Sequence, residues 1–379
     1  MSGNDQAAID KTLFEAAENG DVAALGALLD RHPDRLYARS EPYEWTLLHT
    51  AARHPAAVAL LLKRGLDANV REKGDNTYAM HWAAAAGTLE SVRLLIDAGG
   101  DVVGSGDDHE LEVIGWATCW DGCDDDAHRA VVDLLLSRGA KHHIFSAIAM
   151  NLGDEVRRLV ADGPSALSRR QSRNENHRTP LQFAVIRNRP EMVALLLELG
   201  ADPLGVDGAG QPAASYVRSP DADRPVMERI HAMTAAEFVS AGRGSRPARV
   251  TSMDLAAAVA LEDWKMAERL VHADPSVLRS DAGVLHLMAK RNHVKAIAWL
   301  LDRGADPNGR WAHWDADVTP LHLAASQGHA DAVRLLLARG ANPTIRDSKH
   351  DSDPLGWAEF FQQPEAVRIL KSDSPNRQA

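Results

Sequence analysis

The 379-residue sequence contains few cysteines and few aromatic residues. Two cysteines, Cys119 and Cys123, are too few for the disulfide framework of a small secreted domain, and we expect both to be reduced thiols. The sequence around them also offers too few soft ligands for a metal site. Because aromatic residues make up 5% of the chain and hydrophobic residues 45%, we expect cores built mainly from Ala and Leu.

Long apolar segments and the common catalytic motifs are also missing. No window reaches 18 uncharged apolar residues, and the start, Met-Ser-Gly-Asn-Asp, is not the basic-then-apolar pattern of a signal peptide. There is no Walker A loop, no G-x-G-x-x-G after a strand, no G-x-S-x-G and no H-E-x-x-H. These absences exclude the usual nucleotide-binding and hydrolase scaffolds. We therefore expect no cofactor, no membrane span and a cytoplasmic location.

Basic residues are outnumbered by acidic ones, 42 to 53, which leaves a net charge of −11. A negative surface argues against nucleic acid or an anionic membrane as the main partner. A protein partner with a basic surface is the better expectation, because complementary charge speeds encounter.

The clearest positive feature is residues 319–343, TPLHLAASQGHADAVRLLLARGANP. The Thr-Pro pair at its start is typical of a capped helix, and Gly328 ends that helix. A second helix follows from Asp331 to Arg339, with apolar residues at helical spacing and Gly340 as a C-terminal cap. A helix pair this small cannot bury its own apolar face, so copies must stack on either side.

Similar units recur along the chain with gaps of 24 to 41 residues, around a period of about 33. The unit resembles the ankyrin repeat, whose signature is close to T-P-L-H-x-A-A-x-x-G-(x)6-L-L-L-x-x-G-A-(D/N). The resemblance implies an all-α solenoid of about eleven helix–turn–helix units joined by β-turn fingers, with residues 1–371 as one array and 372–379 as a polar tail. The units end near Leu29, Leu62, Ile96, Leu136, Val160, Leu197, Ile230, Val271, Leu301, Leu337 and Leu370.

Two places depart from the repeat. Residues 234–250 are rich in Gly, Arg, Ser and Pro, which indicates an enlarged loop. The unit that starts at Ile144 has almost no finger before it, which explains the gap of 24 residues.

Histidines at the motif position have a structural interpretation. By the resemblance, His49, His286 and His322 tie the first helix to its own Thr or to a neighbouring finger, and His81 does the same one position out of register. Gly115 and Gly356 replace this histidine in two units, where Trp116 and Trp357 replace a Leu and are expected in the core.

One candidate site is the finger around residues 308–315, where Arg310, Trp311, His313 and Trp314 stand together. A loop tip has little core in which to bury two indoles, and Trp and Arg commonly anchor interfaces. Packing of one Trp against the next finger is the simpler alternative. From this site, and from the resemblance, we predict a non-enzymatic protein–protein interaction module that binds a partner along its concave face.

The alternative is a small-molecule or metal-dependent enzyme in the irregular region 104–178. The missing finger would leave a notch floored by His142 and His143, into which polar residues of the flanking fingers could point and hold a small polar ligand. Local capping of turns and helices is the simpler interpretation of the same residues. The residues of this second candidate site are Asp107, Asp108, His109, Glu110, Trp120, His142, His143, Arg173, Asn174, Asn176 and His177.

Overall fold

The computed structural model describes residues 3–217, 220–240, 250–279, 283–313 and 315–372. The chain forms two compact units, Met1–Pro180 and Leu181–Ala379. Short α-helices arranged in pairs make up most of each unit, which confirms the predicted all-α repeat fold.

In the first unit the pairs are stacked one on the next. Within that stack, each first helix packs on the next first helix, and each second helix packs on the next second helix. The helices are α1 (Gly3–Glu18), α2 (Val22–Arg31), α3 (Leu47–Thr50), α4 (Pro55–Lys63), α5 (Ala79–Ala85), α6 (Leu89–Asp97), α7 (Glu112–Trp116), α8 (Asp126–Ser137), α9 (Ile144–Ala149) and α10 (Gly153–Asp162).

The second unit repeats this arrangement. One of its fingers is an antiparallel hairpin in which Trp311 pairs with Val318 and His313 with Ala316. Its elements are α12 (Pro190–Glu198), α13 (Pro220–Ser240), α14 (Ser252–Ala260), α15 (Trp264–Ala273), α16 (Val284–Lys290), α17 (Val294–Asp302), β1 (Trp311–His313), β2 (Ala316–Val318), α18 (Pro320–Ser326), α19 (Ala330–Ala338), α20 (Pro354–Phe360) and α21 (Pro364–Ser372), while α11 (Pro180–Ile186) begins at the unit boundary.

The motif histidines have the predicted structural role. In the copy at Thr46, the hydroxyl of Thr46 lies 2.7 Å from His49 Nδ1, and His49 Nε2 lies 3.0 Å from the carbonyl oxygen of Thr77 in the next finger. His81, His286 and His322 reach carbonyl oxygens of following fingers at 3.0–3.1 Å in the same way. Burial lowers the pKa of each of these four imidazoles to about 4, so they are neutral at pH 7.

The predicted loop at 234–250 is wrong for its first part. Helix α13 continues to Ser240, so residues 234–240 are helical. Phe238 is buried and Arg269 lies 4.0 Å above its ring, and this packing favours continuation of the helix. Residues 241–249 lie outside the described part of the chain, as do residues 373–379 of the predicted polar tail, whose first residue, Ser372, ends α21.

Candidate functional site

The unit without a finger has an inverted capping box. Where other copies have Thr and then His three residues later, this unit has His143 and Ser146. The Ser146 hydroxyl accepts from the backbone N–H of His143 at 3.0 Å, and His143 Nδ1 accepts from that of Ser146 at 3.2 Å. His142 Nδ1 lies 3.1 Å from the same hydroxyl, so both predicted site histidines lie at the start of α9.

His143 also replaces a histidine that the preceding unit lacks. Its Nε2 donates to the carbonyl oxygen of Leu111 at 2.8 Å, so it ties α9 back to the finger of the preceding unit. A Cβ added to Gly115 would lie 2.8 Å from that nitrogen, which shows why glycine stands at the motif position there. Burial lowers the pKa of His143 to about 3, which makes it a neutral structural group.

The two fingers that flank the missing one contact each other directly. His109 Nδ1 lies 2.5 Å from Glu175 Oε1, and the Arg169 guanidinium donates to the carbonyl oxygen of Glu110 at 3.1 Å. Ser172 donates its hydroxyl to the other carboxylate oxygen of Glu175 at 2.7 Å, which holds that carboxylate in place. We call the His109–Glu175 contact the finger clasp.

The finger clasp changes the predicted notch. A recess of about 640 Å³ does exist at the short connection, lined by Lys141 and His142 together with Glu155 and Arg158. None of the predicted finger residues lines it, and His143 is 6% exposed. The notch with convergent finger side chains is therefore wrong, because the fingers close on each other instead of pointing into the gap.

His109 lies between two carboxylates. Its Nε2 is 3.3 Å from Asp75 Oδ1 on the preceding finger, while its Nδ1 contacts Glu175. Burial acts to lower the pKa of His109, but the hydrogen bond and charge of Glu175, with those of Asp75, raise it above the usual value of 6.5. When His109 is protonated, both ring nitrogens donate to carboxylates, and no lone pair is left with which to act as a general base.

Asp107 organises the finger tip. One of its carboxylate oxygens accepts from the backbone N–H groups of His109 at 3.1 Å and Leu111 at 3.3 Å and from the indole of Trp116 at 3.1 Å. The other accepts from the backbone N–H of Glu112 at 2.8 Å. Asp107 is 2% exposed, so its role is structural. In the second unit, Asp347 likewise accepts from three backbone N–H groups of its own finger and from the indole of Trp357.

The other predicted residues of the 104–178 region lie at finger tips. Asp108 donates its backbone N–H to the Asp75 carbonyl at 2.8 Å, and Glu110 is exposed with a left-handed backbone. His177 Nδ1 lies 3.2 Å from the carbonyl oxygen of Gln171 in its own finger. The exposed tip of that finger consists of Arg173, Asn174, Asn176 and His177, in agreement with the simpler interpretation of local turns.

The predicted partner site in the second unit is partly buried. His313 is 2% exposed, with its Nε2 3.3 Å from Lys290 Nζ, and burial first and Lys290 second lower its pKa well below its usual range. Trp311 is partly exposed and stacks on His313 with ring centroids 5.1 Å apart. Arg310 is exposed and donates to the carbonyl oxygen of Arg346 at 2.8 Å. Trp314 lies outside the described residues.

A row of four indoles in the first unit was not predicted from the sequence. Ring centroids lie 4.8 Å apart between Trp45 and Trp82, 5.3 Å between Trp82 and Trp116, and 5.3 Å between Trp116 and Trp120. Trp116 is buried, as predicted, and the other three are partly exposed. We call this row the tryptophan ladder.

The tryptophan ladder follows the first helices and joins the finger clasp. Trp45 precedes α3, Trp82 lies in α5, Trp116 ends α7 and Trp120 follows it. The ring of His109 meets Trp116 and Trp120 edge to face, with centroids 5.4 and 5.1 Å apart. The sequence signal that could have revealed the ladder is a Trp at or next to the first helix in three successive copies.

Within the described ranges, no group of three or more His, Cys, Asp or Glu side chains could hold a metal ion. No helix in the part of the chain that the structure covers is both long and apolar enough to cross a membrane.

In each unit, stacked helix pairs with projecting fingers form a face of first helices and fingers, which defines a helical repeat protein. A family model for ankyrin repeats in three copies matches residues 13–105, 53–146, 255–347 and 285–378, and a model of the single ankyrin repeat matches residues 176–208. Because these matches cover most of the chain, the protein belongs to the ankyrin repeat family. Among solved structures, the ankyrin repeat domain of human ASB11 matches 57% of this chain and 96% of its own, with 21% identity and a TM-score of 0.40.

Proposed function

We propose that this protein is a non-enzymatic interaction module that binds a protein partner on the face of first helices and fingers in its first unit. Ankyrin repeats are generally protein–protein interaction modules, and solenoids use such extended faces for binding. The tryptophan ladder is the observation that carries the proposal, because it continues this face across three successive repeats with three partly exposed indoles.

Exposed tryptophans are well suited to anchor a partner. Indoles supply a large apolar area with few rotatable bonds, and they are enriched among the residues that dominate binding energy. In the tryptophan ladder, Trp116 is held by its hydrogen bond to Asp107, and Trp82 by one to the Thr77 hydroxyl at 2.9 Å. A surface held in this way loses little side-chain entropy on binding.

The alternative enzyme function has weaker support from the same region. Its central histidine, His109, has both nitrogens occupied by carboxylates, and His143 is buried in a helix cap. His142 lines a separate recess. The residues that would have to act together on one ligand therefore lie in separate places and have different structural roles.

The proposal can be tested with the tagged full-length protein and a lysate of its source. We expect a stoichiometric partner to be retained by the wild type and lost with the double variant Trp82→Ala/Trp120→Ala. Trp299→Ala is the matched control, because Trp299 is a partly exposed indole on a second helix, α17, stacked on Trp264 at 5.9 Å. Trp311→Ala in parallel tests the finger of the second unit.

The outcomes distinguish binding at the tryptophan ladder from binding at the finger that carries Trp311. Undiminished retention by the double variant, with its helical content unchanged by circular dichroism, would show that the tryptophan ladder is not the binding face. Loss with Trp311→Ala alone would place the interface in the second unit. Equal loss with Trp299→Ala would show that the effect of removing a tryptophan is not specific to either face.

A further inference from the structure

We propose that the tryptophan ladder receives an extended basic segment of the partner and that arginine side chains of this segment stack on its indoles. The inference rests on the proposed function and adds the chemistry of the bound segment. Two independent features of the first unit support it: the indoles of the tryptophan ladder and the charge of the surrounding chain.

The tryptophan ladder offers three partly exposed indoles to a planar cation. A guanidinium stacks on indole faces and is less strongly hydrated than an ammonium, so it leaves water more readily. The same chain already uses this geometry elsewhere. The guanidinium of Arg303 lies 3.9 Å from the centre of the Trp299 ring, and that of Arg71 lies 4.1 Å from the centre of the Tyr78 ring.

The chain around one end of the tryptophan ladder is strongly acidic, while Arg71 and Arg169 reach the same finger through its backbone carbonyls. Residues 94–128 contain ten Asp and Glu residues and neither Lys nor Arg, and this segment includes two of the four indoles, Trp116 and Trp120. Asp107 and Asp125 are used within the fold, as finger organiser and as cap of α8. The other acidic residues of this segment include Glu110, which is exposed, and Asp108, which is partly exposed, both on the finger that carries His109. Asp126, after Trp120, is also exposed.

The finger clasp already places one titratable nitrogen ring among carboxylates and indoles. His109 lies between two carboxylates and meets Trp116 and Trp120 edge to face. A segment that adds arginines beside it would meet the same combination of indoles and carboxylates. The centroids of neighbouring indoles in the ladder are about 5 Å apart. An extended segment advances by about 3.3 Å per residue, so it can run along the ladder.

Simple peptide probes distinguish arginine stacking from general attraction. We would titrate the full-length protein with fluorescein-labelled nona-arginine, nona-lysine and a nine-residue Gly-Ser peptide at 150 mM NaCl and follow anisotropy. We expect nona-arginine to bind about tenfold more tightly than nona-lysine, and the Gly-Ser peptide not to bind. Attraction by charge alone would give the two cationic peptides similar affinities, since their formal charges are equal.

Variants locate the effect. Trp120→Leu keeps an apolar side chain but removes the aromatic face. We expect it to weaken the binding of nona-arginine about threefold to tenfold and the binding of nona-lysine less. The double variant Asp108→Asn/Glu110→Gln should weaken the binding of both cationic peptides. Its control for net charge is Glu191→Gln/Glu237→Gln, which removes two exposed carboxylates from the second unit and should leave both affinities unchanged.

Three results would overturn the proposal: equal affinities for nona-arginine and nona-lysine, an unchanged preference in Trp120→Leu, or the same loss in both carboxylate pairs. Each would reduce the binding to general electrostatics. The proposed function would survive such a result if the natural partner still depends on Trp82 and Trp120 in the retention experiment. Failure of that experiment would instead remove the proposed function.

Discussion

His109 and Glu175 are joined side chain to side chain across the place where one repeat has no finger, with 2.5 Å between Nδ1 and Oε1. They stand 66 residues apart in the chain. The contact closes the irregular part of the array and fixes the finger that carries His109 against the end of the tryptophan ladder.

The finger clasp predicts a dependence on pH. The pKa of folded His109 lies above 6.5, because the Glu175 and Asp75 carboxylates outweigh burial. The clasp therefore contributes fully below about pH 6.5 and loses its contribution as the pH rises through the folded value. We expect Glu175→Gln to lower the pKa of His109, measured from the imidazole proton shifts by NMR. Asp75→Asn should lower it less, because its contact is longer, at 3.3 Å. An unchanged pKa in Glu175→Gln would contradict the assignment.

The buried motif histidines predict the opposite behaviour in acid. Burial lowers the pKa of His49, His81, His286 and His322 to about 4. Because the unfolded chain binds these protons first, their contribution is present above about pH 6.5 and is lost as the pH falls toward 4. At about 1.4 kcal/mol per pKa unit, each histidine accounts for on the order of 3 kcal/mol.

Urea unfolding followed by circular dichroism at a series of pH values tests this acid sensitivity. We expect the urea midpoint to fall steeply between pH 6.5 and 4.5. A midpoint that stays constant over this range would show that the four histidines are not buried as neutral groups.

Asp107 and Asp108 are adjacent and predict different effects of the same substitution. Asp107→Asn puts an NH2 group where a carboxylate oxygen accepts from a backbone N–H or from the Trp116 indole. A buried donor left without an acceptor costs about 1–3 kcal/mol, so we expect a loss of that size in the free energy of unfolding. Asp108→Asn is the control, with an expected change within about 0.5 kcal/mol. Equal losses in the two variants would argue against the role of Asp107 as finger organiser.

Gly115 and Gly356 form a second matched pair. A Cβ on Gly115 would lie 2.7 Å from the Leu111 Cβ and 2.8 Å from His143 Nε2, which are both held in the core. Overpacking of this kind costs about 1–3 kcal/mol, so Gly115→Ala should lower the free energy of unfolding by that amount. At Gly356 the nearest atom is the hydroxyl of Ser352, which can rotate away. Gly356→Ala should therefore be much milder, and a reversed order of the two losses would count against the tie made by His143.

The helix pairs, the role of the motif histidines and the unit without a finger could all be predicted from the sequence. These features are local: a Thr and a His three residues apart form a capping box within one turn of helix, and a glycine after the last apolar residue caps the end of a helix. The loop predicted over residues 234–250 was wrong for residues 234–240, because composition does not show that Phe238 packs against Arg269. Packing of α13 against its neighbouring helices outweighed the local preference there.

The sequence by itself determined the repeat and its family, because stacking copies of one small helix pair is the way such a chain buries its Ala and Leu side chains. Only the tertiary structure decided which polar and aromatic residues meet. Glu175 was not among the candidate residues, yet it holds His109, because the missing finger brings two distant tips together. Likewise Trp45, Trp82, Trp116 and Trp120 are separated in sequence and form one ladder only when successive first helices stack, since the contact between repeats depends on geometry that no single repeat encodes.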